Sequence, residues 1–331
     1  MVSNSAAVPG GTLARPSPSA TVRQASVPDP RRLLQLGLAV IWVLDGVLQF
    51  QTFMFSRAFG QMMASTAPGN PAVVADPITW AARIVEQHPV PTNAAFATIQ
   101  LLLGIGIACR PTVRAALAAS VAWSVAVWWF GEGLGGILNG GASPVNGAPG
   151  AVIIYALLAV LLWPVARDRA GRARYVAARA VGPVAARVLW LILWGSLAYF
   201  AVTAANRTAQ GLHDMIAGMA AGEPGWLAAL NRGAAGLLAH QGLAASVVLA
   251  VLLAAVAVGV FLPAGLARAA VVLAIVLALL IWFVGQDLGM ILAGGATDPN
   301  SGLLLTLLAL AYWPSSRAGL ATPDLREEVH P

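Results

Sequence analysis

The hydrophobic residues of this chain fall into long apolar blocks, which are separated by short segments rich in Gly, Pro and Arg. A transmembrane helix needs roughly 17–25 consecutive apolar residues, and blocks of about that length recur along the chain. They predict eight membrane-spanning helices, at residues 33–53, 93–109, 112–131, 149–166, 187–206, 242–262, 265–285 and 302–316. The pattern therefore indicates an all-α integral membrane protein whose first partner is the lipid bilayer.

Two segments about 150 residues apart have nearly the same sequence. Residues 129–141 (WFGEGLGGILNGG) match residues 282–295 (WFVGQDLGMILAGG) with one inserted residue, and each segment is followed by an apolar stretch that ends in Trp-Pro. A repeat of this length is too long for a solenoid and indicates an internal duplication. Because four spans return the chain to its starting side, we expect two parallel four-helix repeats, related by a pseudo-two-fold axis along the membrane normal.

The expected organisation has five parts. Residues 1–31 are rich in Pro, Ser, Ala and Gly, which predicts a disordered cytoplasmic tail. The first membrane repeat covers 32–166 and the second covers 187–316, with a cytoplasmic connector at 167–186 and a cytoplasmic tail at 317–331.

Composition and charge agree with this class and give an orientation. The chain is 59% hydrophobic and 10% charged. All nineteen basic residues are Arg, and with the N-terminus inside only Arg57, Arg83, Arg207 and Arg232 fall outside. The positive-inside rule then places both termini in the cytoplasm, which fits a multi-pass protein of a bacterial cytoplasmic membrane. A nucleic-acid partner is not expected, because no soluble basic face with base-stacking aromatics is present.

The chain offers little for metal or thiol chemistry. Cys109 is the only cysteine, which excludes an internal disulfide and any site built from a cysteine pair. His88, His213 and His240 are far apart in sequence, so no metal site is expected.

A carboxylate within the first span is the main functional clue. Asp45 lies near the middle of that span, where a charged side chain costs roughly 2.5–3.5 kcal/mol and must face protein or water. Gln49 follows four residues later on the same helix face. Asp45 either handles a proton or a ligand, or it is a hydrogen-bonded acid that ties two helices together.

The corresponding span of the second half carries different polar residues. Asn206, Gln210 and His213 follow one another at helical spacing, and no acid matches Asp45. This divergence predicts one asymmetric site in preference to two equivalent sites.

A second pair of candidates lies at the outer ends of spans three and seven. Glu132 matches the Gln286-Asp287 pair, and each is followed by glycines that permit close helix approach or a bend. We expect Glu132 and Asp287 to face each other and to line one outward-opening cavity that extends to Asp45. The alternative is that both are helix C-terminal turns that simply meet water.

Several of these segments resemble known membrane proteins. Residues 32–51, together with residues 99–104 and 129–136, resemble a group of uncharacterised actinobacterial multi-pass membrane proteins, and each half is distantly similar to the four-helix DoxX-like family. That family is associated with quinone-linked and redox-partner complexes. The resemblance implies a four-helix unit in each half, with a quinone as one candidate ligand and a redox or transport protein as one candidate partner.

The sequence therefore predicts an accessory membrane component that binds a small apolar or lipid-like ligand between the repeats. The alternatives are a small-molecule or proton-coupled transporter and, last, a lipid-modifying enzyme. No nucleophile–base pair or metal cluster is visible, so we name no catalytic residue and rank the enzyme behind the other two functions.

Overall fold

The structure is a computed structural model that describes residues 29–165 and 173–314. These residues form helices and no strand, in agreement with the predicted all-α class. The α-helices are α1 (Pro30–Leu48), α2 (Arg57–Ala64), α3 (Ala72–Gln87), α4 (Pro89–Ala108), α5 (Val113–Phe130), α6 (Ala151–Leu161), α7 (Ala177–Val181), α8 (Pro183–Ala201), α9 (Ala204–Arg207), α10 (Gly211–Met219), α11 (Gly225–Leu238), α12 (Gly242–Gly259), α13 (Ala264–Leu280) and α14 (Ser301–Ala311). The predicted tails, apart from residues 29–31 of the first, and the beginning of the predicted connector, residues 167–172, lie outside the described residues.

Five helices are long and apolar enough to cross a membrane. They are α4, α5, α8, α12 and α13, the last extended by a π-helical turn to Gly285. α1 has 19 residues but carries Arg31, Arg32 and Asp45. The described chain is thus that of a membrane protein.

The fourth and eighth predicted spans contain shorter helices than expected. α6 and α14 have 11 residues each. At about 1.5 Å per residue such a helix is roughly 17 Å long, against a hydrocarbon core of about 30 Å. Most residues of both helices are buried against other helices, and Leu158 and Leu308 are fully buried.

The two halves share one hydrophobic core. Buried residues of α1, α6, α8, α12, α13 and α14 form a single contiguous cluster. Within the first half, α1 packs closely on α4 because small residues lie at their contact. A Cβ added at Gly104 would lie 2.8 Å from the Ala39 carbonyl oxygen, so only glycine permits this approach.

Arginines at one end of the bundle bind helix C-termini. Arg32 donates to the carbonyl oxygens of Ile107, at 2.9 Å, and Ala108, and Arg174 donates to Leu262 at 3.1 Å. The last carbonyls of a helix have no partner within the helix and carry partial negative charge, so cations are favoured there. These arginines are among those predicted to be cytoplasmic.

Short amphipathic helices lie at the opposite end. In the first half they are α2 and α3, and in the second half α10 and α11. Trp80 on α3 and Trp226 on α11 are exposed, which suits an aromatic side chain at a membrane interface. Both pairs of helices lie in the loops that follow the first and fifth predicted spans, and α2 and α3 cover the site described next.

Candidate functional site

A cavity of 780 Å³ lies within the first half of the chain, between α1, α3, α4 and α5. The loop before α14, from the second half, closes one side through Thr297, Asp298 and Asn300. The polar and ionisable lining residues include Asp45, Gln49, Ser65, Thr66, Thr92, Gln100, Glu132, Asn139, Asn146, Thr297, Asp298 and Asn300. No Arg, Lys or His is among the described residues that line it.

Asp45 lies at the inner part of this cavity and is held by a residue of α6. The Tyr155 hydroxyl donates to Asp45 Oδ2 at 2.5 Å, and the Tyr155 ring contacts Trp42 with centroids 4.2 Å apart. Trp42 in turn donates from Nε1 to Ser120 Oγ at 3.1 Å. Asp45 is 2% exposed, and its Oδ1 accepts no hydrogen bond. One oxygen of the carboxyl group is thus fixed by protein, and the other is free for a ligand.

Glu132 follows α5 and points at the beginning of α6. Its Oε1 accepts from the backbone N–H of Val152 at 3.3 Å, whereas Oε2 has no partner. The chain around it is fixed by Trp128, whose Nε1 donates to the Pro149 carbonyl at 2.6 Å. Burial raises the pKa of Glu132 to about 8, and the nearby Asp298 carboxylate adds to that shift. Backbone N–H groups of α6 act in the opposite direction but more weakly.

Asp298 brings a third carboxyl group to the cavity from the second half. Its Oδ1 accepts from the Asn300 N–H at 2.7 Å, and its Oδ2 accepts from the Thr297 hydroxyl at 2.8 Å. Burial raises the pKa of Asp298, against the effect of these two donors. Asp298 lies within electrostatic range of both Asp45 and Glu132.

The loop that carries Asp298 is attached to the end of α1. Gln49 Nε2 donates to the Thr297 carbonyl at 3.2 Å, and Gln51 Nε2 donates to the Ala296 carbonyl at 3.0 Å. Asn93 on α4 donates to the Gln49 carbonyl at 2.7 Å and fixes the helix end. Gln49 is therefore both a lining residue and a positioning residue for the Asp298 loop.

Unsatisfied acceptors outnumber unsatisfied donors in the cavity. Acceptors without a partner are Asp45 Oδ1, Gln49 Oε1, Gln100 Oε1 and Glu132 Oε2. Trp123 Nε1 is an unpartnered donor. Buried polar groups are normally hydrogen-bonded, because an unmade bond costs about 1–3 kcal/mol. Four such acceptors in one cavity indicate a place for bound water or for a ligand with donors.

Gln286 occupies in the second half the position that Glu132 has in the first. Its Oε1 accepts from the Gly302 N–H at 3.1 Å, and Trp282 Nε1 donates to the Pro299 carbonyl at 2.6 Å, as Trp128 does to Pro149. The following backbone also matches, with φ of 55° at both Leu134 and Leu288.

This match corrects the register predicted from the sequence. Trp282 corresponds to Trp128 and not to Trp129, so no residue is inserted in this segment. Asp287 then corresponds to Gly133, and both have positive φ, of 46° and 56°. Of the Gln286-Asp287 pair, the counterpart of Glu132 is therefore Gln286, which carries an amide in place of the carboxyl group.

The space beside Gln286 in the second half is occupied by a loop of the first half. Gln286 Nε2 donates to the Pro144 carbonyl at 3.2 Å and to Ser301 Oγ at 2.9 Å. The neighbouring Val145 packs with Leu212 and Ile216. From Glu132 to Val152 the chain advances 20 residues, but only 16 from Gln286 to Gly302. The longer loop reaches across to Gln286, whereas the shorter loop only borders the cavity of the first half on one side.

The other predicted site residues lie away from the cavity. Buried Asn206 donates to the Phe200 carbonyl at 2.6 Å, and Gln210 contacts His240. His213 bonds its neighbour Asp214 at 2.9 Å on the surface. The helical spacing that grouped these residues does not hold, because the chain breaks between α8, α9 and α10.

The expectation that Glu132 and Asp287 line the same cavity is wrong. Asp287 is fully buried and bonds Asn231 of α11, outside the cavity lining. Burial raises its pKa, and the Asn231 bond opposes that effect. The cause of the error is the register of the repeat. Asp287 corresponds to Gly133 and not to Glu132, so it does not take the position of Glu132.

Tyr155, Asp298 and Trp123 were not identified from the sequence. Tyr155 is a single hydroxyl in an otherwise apolar block, and Asp298 lies in a loop whose contact with α1 is a tertiary feature. Asn300 before α14 is a helix N-cap that can be recognised from the sequence. That cap was the signal in the sequence that could have drawn attention to the neighbouring Asp298. No group of three or more His, Cys, Asp or Glu in the described ranges could hold a metal ion.

No protein-family model matches the chain, and neither a curated protein nor a solved structure is significantly similar to it. The functional argument therefore rests on the geometry of the cavity.

Proposed function

We propose that this protein is an integral membrane protein that binds a small, largely apolar ligand in the cavity between α1, α3, α4 and α5. The observation that carries the proposal is the cavity itself. Its 780 Å³ lies within the roughly 300–1,000 Å³ of ligand sites, and apolar walls surround a few converging polar groups, as ligand sites require.

We further propose that the chain arose by duplication of a four-helix unit, distantly DoxX-like, with the termini in the cytoplasm of a bacterium. The matched bonds of Trp128 and Trp282, and of Glu132 and Gln286, support the duplication. In this scheme one unit keeps the ligand site, and the other is closed by the loop at Pro144.

Individual residues then have distinct roles. Asp45, Glu132 and Gln100 present free acceptors to the polar end of the ligand, and Trp123 presents a donor. Tyr155 positions Asp45. A quinone remains one candidate ligand, since Trp123 Nε1 and a protonated Glu132 can donate to quinone carbonyls.

Proton-coupled transport is a second candidate function. Glu132 has a pKa of about 8, so its carboxyl group changes charge near physiological pH. A group that titrates in this range inside a ligand cavity can couple proton movement to binding.

The test is to fill the cavity from one wall. Ala126 on α5 lines the cavity. Ala122, one turn earlier on the same helix, is exposed and does not line the cavity. We expect Ala126→Phe to abolish the co-purification of any lipid, quinone or other small molecule detected by mass spectrometry of the purified protein. Ala122→Phe is the matched control and should retain it. Equal ligand content in wild type and Ala126→Phe would reject the cavity as the site.

A further inference from the structure

The walls of the cavity carry acidic and aromatic groups without any basic group. Three carboxyl groups lie in the lining, those of Asp45, Glu132 and Asp298. The aromatic lining residues are Trp42, Phe59, Trp80, Phe96, Trp123 and Phe130. Aromatic faces attract cations through their quadrupole, and a carboxylate attracts them through its charge.

The polar atoms of the cavity that have no hydrogen-bond partner also favour a cation. Asp45 and Gln49 are each 2% exposed, and each presents an oxygen without a hydrogen-bond partner. Glu132 Oε2 and Gln100 Oε1 add two more. An anionic ligand would meet only acceptors here, apart from Trp123 Nε1, whereas a cation or a donor satisfies them.

We propose that the ligand is an organic cation with an apolar body, such as an alkyl- or aryl-substituted ammonium, and that it replaces a proton in the cavity. This inference rests on the proposed function and specifies its ligand class. The cation binds as Glu132 gives up its carboxyl proton to water, so the positive charge of the ligand is balanced by the new carboxylate and the charge of the cavity is unchanged.

The groups around Glu132 make this exchange possible. Asp45 on α1 and Asp298 on the loop before α14 are acidic, and Tyr155 on α6 donates to Asp45. The lining residues of α3, α4 and α5 carry no charged group. With no cation of its own beside Glu132, the empty cavity favours the protonated acid, and a bound cation supplies the missing counter-charge.

The experiment uses tetraphenylphosphonium as a permanent cation and triphenylphosphine oxide as a neutral molecule with a similar body. Binding to the full-length protein in lipid nanodiscs is measured by calorimetry in buffers of different ionisation enthalpy, which reports the protons released. We expect the cation to release up to one proton and to bind more tightly as pH rises from 6 to 8, by at most about tenfold per unit.

Variants separate the proposal from nonspecific effects. Glu132→Gln should weaken the cation at least about tenfold and remove most of its pH dependence, and it should weaken the neutral probe less, because the amide keeps an oxygen acceptor and an N–H donor at that position. Asp298→Asn should weaken the cation in the same direction. Asp214→Asn removes an exposed acid far from the cavity and should behave as wild type.

Each outcome decides one question. The cation inference is overturned if the neutral probe binds but the cation does not. It is also overturned if the neutral probe binds and the affinity for the cation changes neither with pH nor in Glu132→Gln. In both cases the proposed ligand site stands. If neither probe binds and Ala126→Phe changes no co-purified ligand, the proposed function itself fails. Cation binding that is lost in Glu132→Gln and in Ala126→Phe supports both.

Discussion

Glu132 and Gln286 make the same hydrogen bond in the two halves of the chain. Each side chain accepts, through Oε1, from the backbone N–H of the second residue of the next helix, Val152 or Gly302. The acid borders an open cavity with one oxygen unpaired, and the amide is fully bonded against Pro144. One backbone arrangement therefore supports an ionisable site in one half and a packed contact in the other.

The first prediction concerns pH and Glu132. Its pKa of about 8 in the folded protein exceeds the ordinary glutamate value of 4.5, so the folded state holds the proton more tightly. The stability that this provides is complete below about pH 4.5 and is lost as pH rises through about 8. The thermal unfolding midpoint of the wild type should fall between pH 5 and 8.5, and that of Glu132→Gln should fall less. Part of the pH dependence should remain in Glu132→Gln, because the pKa of Asp298 is also raised. Parallel curves for the two proteins would contradict the assignment.

The reverse substitution tests the second half. Gln286→Glu replaces the amide that donates to the Pro144 carbonyl with a group that, when ionised, only accepts. A buried acceptor left facing another acceptor costs about 1–3 kcal/mol, so the unfolding midpoint should fall clearly at pH 7. Gln87→Glu, at an exposed position of α3, is the control and should change it little.

Substitutions at Asp45 distinguish a ligand role from a structural one. Asp45→Asn keeps an acceptor for the Tyr155 hydroxyl, so folding and membrane yield should stay near wild type. Cation binding should nevertheless weaken, since the carboxyl group has gone. Asp45→Leu leaves Tyr155 without its acceptor and should lower the yield. Normal binding by Asp45→Asn, with loss of protein for Asp45→Leu, would assign Asp45 a structural role only.

Glycine at position 150 should be required by the geometry of Glu132. Gly150 has φ of 114°, and a Cβ there would lie 2.3 Å from Glu132 Oε2 and 2.8 Å from the Trp128 ring. Gly140 also has positive φ, of 78°, but a Cβ there would meet nothing within 4 Å. Gly150→Ala should therefore lower the unfolding midpoint more than Gly140→Ala, which carries backbone strain alone. Equal effects would show that the contact with Glu132 is not tight.

The arginine distribution predicts the orientation, and native Cys109 provides a probe for it. Cys109 is exposed at the arginine-rich end and should react with a membrane-impermeant maleimide only from the cytoplasmic side. Asn139→Cys in a Cys109→Ser background should react only from outside, as Asn139 is exposed next to the cavity. Ser143, in the same loop, is 1% exposed and unsuitable for labelling. Outside labelling of Cys109 would reverse the topology.

The sequence alone determined the class of the protein and three of the residues that line the cavity, Asp45, Gln49 and Glu132. Long apolar blocks predict membrane helices, because a helix must be long and apolar to cross the hydrocarbon core of the bilayer. Five such helices are present. Asp45 and Glu132 stood out for the same reason, since a carboxyl group in or beside an apolar block needs a protein or water environment. The similarity between residues 129–141 and 282–295 pointed to their shared backbone, although not to its register.

Only the tertiary structure decided which half holds the cavity. Apolar periodicity does not show that the loop at Pro144 reaches into the second half, or that the Asp298 loop closes the first, because both contacts join residues more than 140 positions apart. The same limit hid Tyr155, which gains its role by meeting Asp45 across 110 residues of chain. Local sequence fixes helices through bonds between near neighbours, but loop length and packing between the halves decide which space is filled and which stays open.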